Sequence, residues 1–75
     1  MDFHLRLENL IQERNIKQKD LSAELNFAYS TLNGYVTQHR QPDLQTLVRL
    51  ARYFDVSTDY LLGLSSEKKP APSTL

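Results

Sequence analysis

QKDLSAELNFAYSTLNGYVTQHRQP, residues 18–42, decides the fold. In it Leu21 and Leu25 stand four apart, Leu32 and Val36 stand four apart, and Tyr35 adjoins the second pair. Residues four apart share one face of an α-helix, so the spacing predicts two short amphipathic helices, about Gln18 to Leu25 and about Tyr29 to Val36. Between them lies Asn26-Phe27-Ala28, and asparagine tolerates the left-handed conformation that stops one helix and redirects the chain. Two such helices set at a steep angle form a unit whose second member can enter a DNA major groove.

Local propensity opposes this reading at one place. Ser30-Thr31-Leu32-Asn33-Gly34-Tyr35-Val36-Thr37 carries a strong two-residue hairpin signal, Asn-Gly between β-favouring residues. A lone hairpin is marginal in water, and nothing else in the chain offers it a sheet. The helical reading prevails, at about 1 kcal/mol for a glycine in a helix interior. Gly34 then either lets a base edge or sugar approach the backbone, lets a neighbouring side chain reach across, or is a tolerated exposed glycine.

Outward from this stretch, Phe3, Leu7, Leu10 and Ile11 mark one face of a first helix, from about Asp2 to Arg14, and Asn15-Ile16-Lys17 is its connection. After the polar loop Thr37 to Pro42, Asp43 can cap a fourth helix in which Leu44, Leu47, Val48, Ala51 and Phe54 recur at helical spacing. Ser57 caps a short fifth helix, Thr58 to Leu62, with Gly63 suited to its stop. From Ser65 the chain has no apolar face and contains Pro70 and Pro72. The expected organisation is one all-α domain over residues 1–64, compact and five-helical, followed by a disordered tail or interdomain linker over 65–75.

Order and spacing over roughly Arg6 to Gly63 resemble the phage repressor and Cro type of helix-turn-helix domain, the lambda-repressor-like group often called XRE-like. The carriers are Gln18 opening the second helix, Leu21 and Ser22 within it, and Ser30-Thr31-Leu32 in the third. Arg40-Gln41-Pro42-Asp43-Leu44 follows, with Leu47, Leu50 and Ala51, and Asp55-Val56-Ser57-Thr58-Asp59-Tyr60-Leu61-Leu62-Gly63 closes the pattern.

The resemblance implies a sequence-specific regulator, a repressor that binds double-stranded DNA as a homodimer on a pseudo-palindromic operator, with half-sites roughly 34 Å apart. It implies base reading by the start of the third helix, here Ala28, Tyr29, Ser30, Asn33 and Gly34. Asn33 can pair with adenine, Ser30 can donate or accept, and Ala28 or the Tyr29 ring can touch a thymine methyl, so an operator rich in A and T is expected. Tyr29 read without the resemblance is a partly packed surface aromatic. Phosphate contacts are implied at Lys17, Gln18 and Lys19, and at Thr37, Gln38, His39 and Arg40. On general grounds Lys17, Lys19 and His39 are equally solvated surface groups. The dimer surface maps to Val56, Ser57, Tyr60 and Leu61, of which Tyr60 and Leu61 suit a core as well.

The chain departs from the family's pattern in two ways. An Arg in the first helix and a Glu ending the third usually pair under the domain, and Ile11 and Val36 occupy those positions here. Replacing both partners by apolar residues deletes a buried ion pair without stranding one charge. Ala28 and Lys17 stand where capping hydroxyl residues are usual, and each missing cap costs on the order of 1 kcal/mol.

Composition bounds the function. Seventy-five residues allow one domain, which at this length buries only roughly 60% of its unfolded surface. Residues 1–63 carry seven Lys and Arg against eight Asp and Glu, and the whole chain is neutral. Without a bulk basic field, DNA binding must rest on local charge, helix N-termini and neutral donors, with a small salt slope. There is no cysteine, hence no disulfide framework or thiolate metal site. No apolar run approaches the roughly 20 residues that span a bilayer, and the expected location is the cytoplasm, on the bacterial nucleoid when DNA-bound.

No catalytic constellation is present, and neither a metal nor a cofactor is expected, since His4 and His39 are far apart in sequence and on different elements. The competing function is a protein-binding module on the same fold, antitoxin-like or antirepressor-binding. An antirepressor, or a missing C-terminal part that oligomerises or senses a signal, is the further partner expected; a complete small regulator with a frayed end is the alternative.

Overall fold

The computed structural model describes residues 3–68. Five helices follow in order: α1 Phe3–Arg14, α2 Gln18–Leu25, α3 Tyr29–Thr37, α4 Leu44–Phe54 and α5 Thr58–Leu61. No strand occurs among the described residues. Asn33-Gly34 sits inside α3, so the hairpin signal is overridden. Burial supplies the reason: Leu32, Tyr35 and Val36 all lie in the core, an arrangement that strand alternation of adjacent residues would break. α3 runs one residue beyond the expected end, to Thr37, whose hydroxyl returns to the Asn33 carbonyl at 2.8 Å. α5 stops at Leu61, with Leu62 as its C-cap.

Three helices end by one device. Asn15, Asn26 and Asp55 adopt φ of 53°, 60° and 55°, the left-handed region in which short polar side chains are tolerated. The residue after each turns back to the helix: Ile16 N donates to Ile11 O, Phe27 N to Ser22 O and Val56 N to Ala51 O. Each is also apolar and packs on the core, the hydrophobic contact that accompanies this type of stop. Helix starts are less uniform. Asp43 accepts from Thr46 N at 3.2 Å and Ser57 from Tyr60 N at 3.0 Å, whereas Lys17 and Ala28 give no side-chain cap.

The core joins Phe3, Leu7, Leu10 and Ile11 of α1 to Leu21, to Leu32, Tyr35 and Val36, to Leu47, Leu50, Ala51 and Phe54, and to Val56, Tyr60 and Leu61. α1 contacts both α3 and α5. The Phe3 ring meets the Tyr35 ring edge-on, with centroids 5.9 Å apart, and the Arg6 guanidinium lies 4.3 Å above the Tyr60 ring. Ile11 and Val36, the two apolar replacements, are both buried in this cluster. α2 buries Leu21 and Ser22 and packs on α3, which fixes the corner between them.

Of the tail expected from Ser65, the described part turns back along the domain. Ser57 N donates to Lys68 O at 2.7 Å, and Lys68 Nζ pairs with Glu13 of α1 at 2.8 Å. The Glu13 carboxylate raises the Lys68 ammonium above its usual value. Asp2 and residues 69–75 lie outside the described residues.

Candidate nucleic-acid interface

α3 begins with an exposed turn. Ala28, Tyr29 and Ser30 are all open to solvent, Tyr29 to 52%. No side chain caps this end; Thr31 N donates to Ala28 O at 3.0 Å, and the two N–H groups before it receive no cap. The face is neutral and offers an aromatic ring, a hydroxyl and unpaired backbone donors.

The second turn of α3 is placed differently. Asn33 is half-buried: its Nδ2 donates to Gln18 Oε1 at 3.2 Å, while the Thr37 hydroxyl sits 3.1 Å from its Oδ1. Gly34 is buried. The Arg40 side chain crosses it, and a Cβ built on Gly34 would lie 3.1 Å from Arg40 Cδ. Of the three roles open to Gly34, the structure has the neighbouring side chain reaching across. Gln18 and Arg40 therefore converge on adjacent residues of one helical turn.

The remaining groups expected at phosphate surround this turn. Lys17 and Lys19 are exposed on either side of half-buried Gln18. Gln38, at the end of α3, donates from its N–H to Gly34 O at 3.0 Å, and Arg40 N reaches the same oxygen at 3.2 Å. This folds the loop back over the helix end, through His39 at φ 56°. Thr37, Gln38, His39 and Arg40 all remain exposed.

His39 corrects one sequence argument. His4 and His39 are far apart in sequence and on different elements, yet their rings stack at 3.7 Å between centroids, 23° from parallel. α1 begins beside the end of α3, as the Phe3–Tyr35 contact already requires, and that brings His4 under the loop. Phe3, His4, His39, Arg40 and Gln41 line a small cleft of about 130 Å³. Among the described residues no group of three or more His, Cys, Asp or Glu side chains is placed to hold a metal ion, and no helix is long and apolar enough to cross a membrane. His4 carried no site signal in the sequence, because only tertiary packing puts it there.

The four residues expected to meet a second copy are mostly interior. Val56, Tyr60 and Leu61 are buried in the chain's own core, and Ser57 is engaged as the α5 cap. Leu64 just beyond is 71% exposed, and Leu44 at the start of α4 is 76% exposed. Away from α3, the Arg49 guanidinium donates to the Leu25 carbonyl and covers the Phe27 ring, tying α4 to the corner between α2 and α3. Nearby, Tyr53 donates to Glu24, whose carboxylate raises the phenol above its usual range.

Residues 7–61 match the family model described as helix-turn-helix. The chain is 37% identical over 65 residues to the uncharacterised HTH-type transcriptional regulator YobD of Bacillus subtilis (strain 168), covering 87% of this chain and 58% of that protein. It is 36% identical over 69 residues to the HTH-type transcriptional regulator ImmR of the same organism, covering 92% and 54%. A third relative there, the HTH-type transcriptional regulator AnsR, is 36% identical over 70 residues, covering 93% and 60%. The chain thus spans a little over half the length of the curated relatives it matches. No solved structure matches it.

Proposed function

Because the chain belongs to the helix-turn-helix family, we propose that it is a sequence-specific, double-stranded-DNA-binding regulator of transcription. It acts as a repressor of the phage or bacterial Cro and CI kind, with α3 in the major groove of a pseudo-palindromic operator. The observation that carries this reading is the exposed first turn of α3. There Ala28, Tyr29 and Ser30 stand clear of the protein while Gln18 and Arg40 flank the next turn from two other elements.

Tyr29, Ser30 and the Ala28 methyl read base edges. A ring and a methyl favour thymine C5-methyl groups, so the operator is rich in A and T under this turn. Lys17, Gln18, Lys19, Thr37, Gln38, His39 and Arg40 hold phosphates and set the register. Residues 1–64 form the DNA-binding domain. One short helix supplies too few contacts for tight binding, so two copies bind together. A second copy at the α5 edge meets the exposed Leu64 rather than the buried Val56, Tyr60 and Leu61.

The test is selection of bound duplexes from a random DNA library, then salt titration of the recovered duplex against a scrambled one, with wild type, Tyr29→Ala and Arg40→Ala. A recovered palindrome whose base preference relaxes at one position in Tyr29→Ala supports the reading. Arg40→Ala weakens both duplexes and lowers the salt slope by about one. No enrichment from folded protein refutes it.

A further inference from the structure

Asn33 lies on the helix proposed to read bases, yet its side-chain amide is engaged within the protein. Nδ2 donates to Gln18 Oε1 at 3.2 Å, and the Thr37 hydroxyl, 2.8 Å from the Asn33 carbonyl, also stands 3.1 Å from Oδ1. From this we infer that Asn33 is a positioning residue: it fixes which end of the Gln18 amide faces the DNA backbone. The inference rests on the regulator reading and assigns Asn33 a different task from the one its helix position suggests.

A primary amide presents an oxygen that only accepts and a nitrogen that only donates, and the two diverge in opposite directions within one plane. A phosphate only accepts. Gln18 opens α2 between two exposed lysines, where the first N–H groups of that helix have no side-chain cap. At such a place only the nitrogen end of the Gln18 amide is useful to an anion. Its oxygen must then find a donor on the protein side, and Asn33 Nδ2 is that donor. The Thr37 hydroxyl, which donates to the Asn33 carbonyl at 2.8 Å, borders Oδ1 at 3.1 Å, and Asn33 Nδ2 faces Gln18. Without Asn33, the Gln18 amide rotates freely, and half its orientations offer oxygen to oxygen.

Two consequences separate a positioning residue from a base reader. The contact it serves is to the backbone, so its loss weakens matched and scrambled duplexes alike. It also acts only through Gln18, so it has no effect once Gln18 is gone.

The experiment compares wild type, Asn33→Ala, Gln18→Ala and the double variant on the selected duplex and on a scrambled one, and repeats the library selection with Asn33→Ala. Expected are losses of about tenfold in each single variant on both duplexes, as for one hydrogen bond to a charged group. Base preferences stay those of wild type, and the double variant is no weaker than Gln18→Ala. A base preference changed at one position in Asn33→Ala, or losses that multiply in the double variant, would overturn the inference.

A second arm follows the Gln18 side-chain amide by NMR in the free protein, whose spectrum also reports that each variant is folded. Asn33→Ala is expected to shift the Gln18 side-chain amide resonances. Unmoved Gln18 resonances overturn the inference. Should wild type bind no duplex, the regulator reading falls, and this arm alone decides whether Asn33 orients Gln18.

Discussion

Arg40 lies across Gly34: its Cδ stands 3.1 Å from the point a Gly34 Cβ would occupy, and its N–H donates to the Gly34 carbonyl at 3.2 Å. The glycine is thus a seat for an arginine expected at phosphate. Its helical cost, about 1 kcal/mol relative to alanine, is set against the path it gives that side chain.

Gly34→Ala separates the two terms. The clash is with the methylene of a flexible exposed side chain, so Arg40 moves aside and the fold keeps most of the helix gain, up to about 1 kcal/mol. Duplex affinity falls, because Arg40 loses its seat. Thermal melting and duplex titration of the same variant check this; a lower melting temperature would mean that Arg40 cannot move.

Ile11 and Val36 share the core cluster. Val36→Glu is expected to destabilise the fold by about 3 to 5 kcal/mol through an unpaired buried carboxylate, and adding Ile11→Arg to recover much of that loss. Denaturant melts of both single variants and the double variant read the coupling. Additive losses would show that the two positions do not meet as a pair.

α3 starts without a side-chain cap at Ala28. Ala28→Ser is expected to add about 1 kcal/mol by accepting from a first-turn N–H. At α4 the cap is present and charged: hydrogen bonding from Thr46 holds the Asp43 carboxyl below its usual 3.8. A depressed folded-state pKa contributes stability above the unfolded value and loses it as pH falls through the folded one. Melting temperature should therefore drop less steeply below pH 4 in Asp43→Asn than in wild type.

The His4 and His39 rings stack although the loop between α3 and α4 is exposed. A double-mutant cycle with His4→Ala and His39→Ala at pH 8 is expected to give a coupling of about 0.5 kcal/mol, the low end for aromatic pairs. Zero coupling would mean that the loop is held by its backbone bonds to Gly34 alone.

Five helices were legible because each is written in local terms. Leu21 with Leu25, Leu32 with Val36, and the run from Leu44 to Phe54 repeat at helical spacing, and Asp43 and Ser57 cap where short polar residues precede such runs. Even the contrary Asn33-Gly34 signal was decided by the burial demanded of Leu32, Tyr35 and Val36, which sequence spacing already displays.

Tertiary structure alone decided which polar groups meet. Gln18 with Asn33 are 15 residues apart, and His4 with His39, Gly34 with Arg40 and Ser57 with Lys68 carry no periodic signature, since each contact depends on how helices or a returning loop approach one another. The same holds for Val56, Tyr60 and Leu61, buried where a partner surface was expected. α5 has four residues, little more than one turn, so its sequence could not say which side faces inward. Periodicity determines a helix and its apolar face when several turns repeat; the company a polar side chain keeps is set by packing between elements.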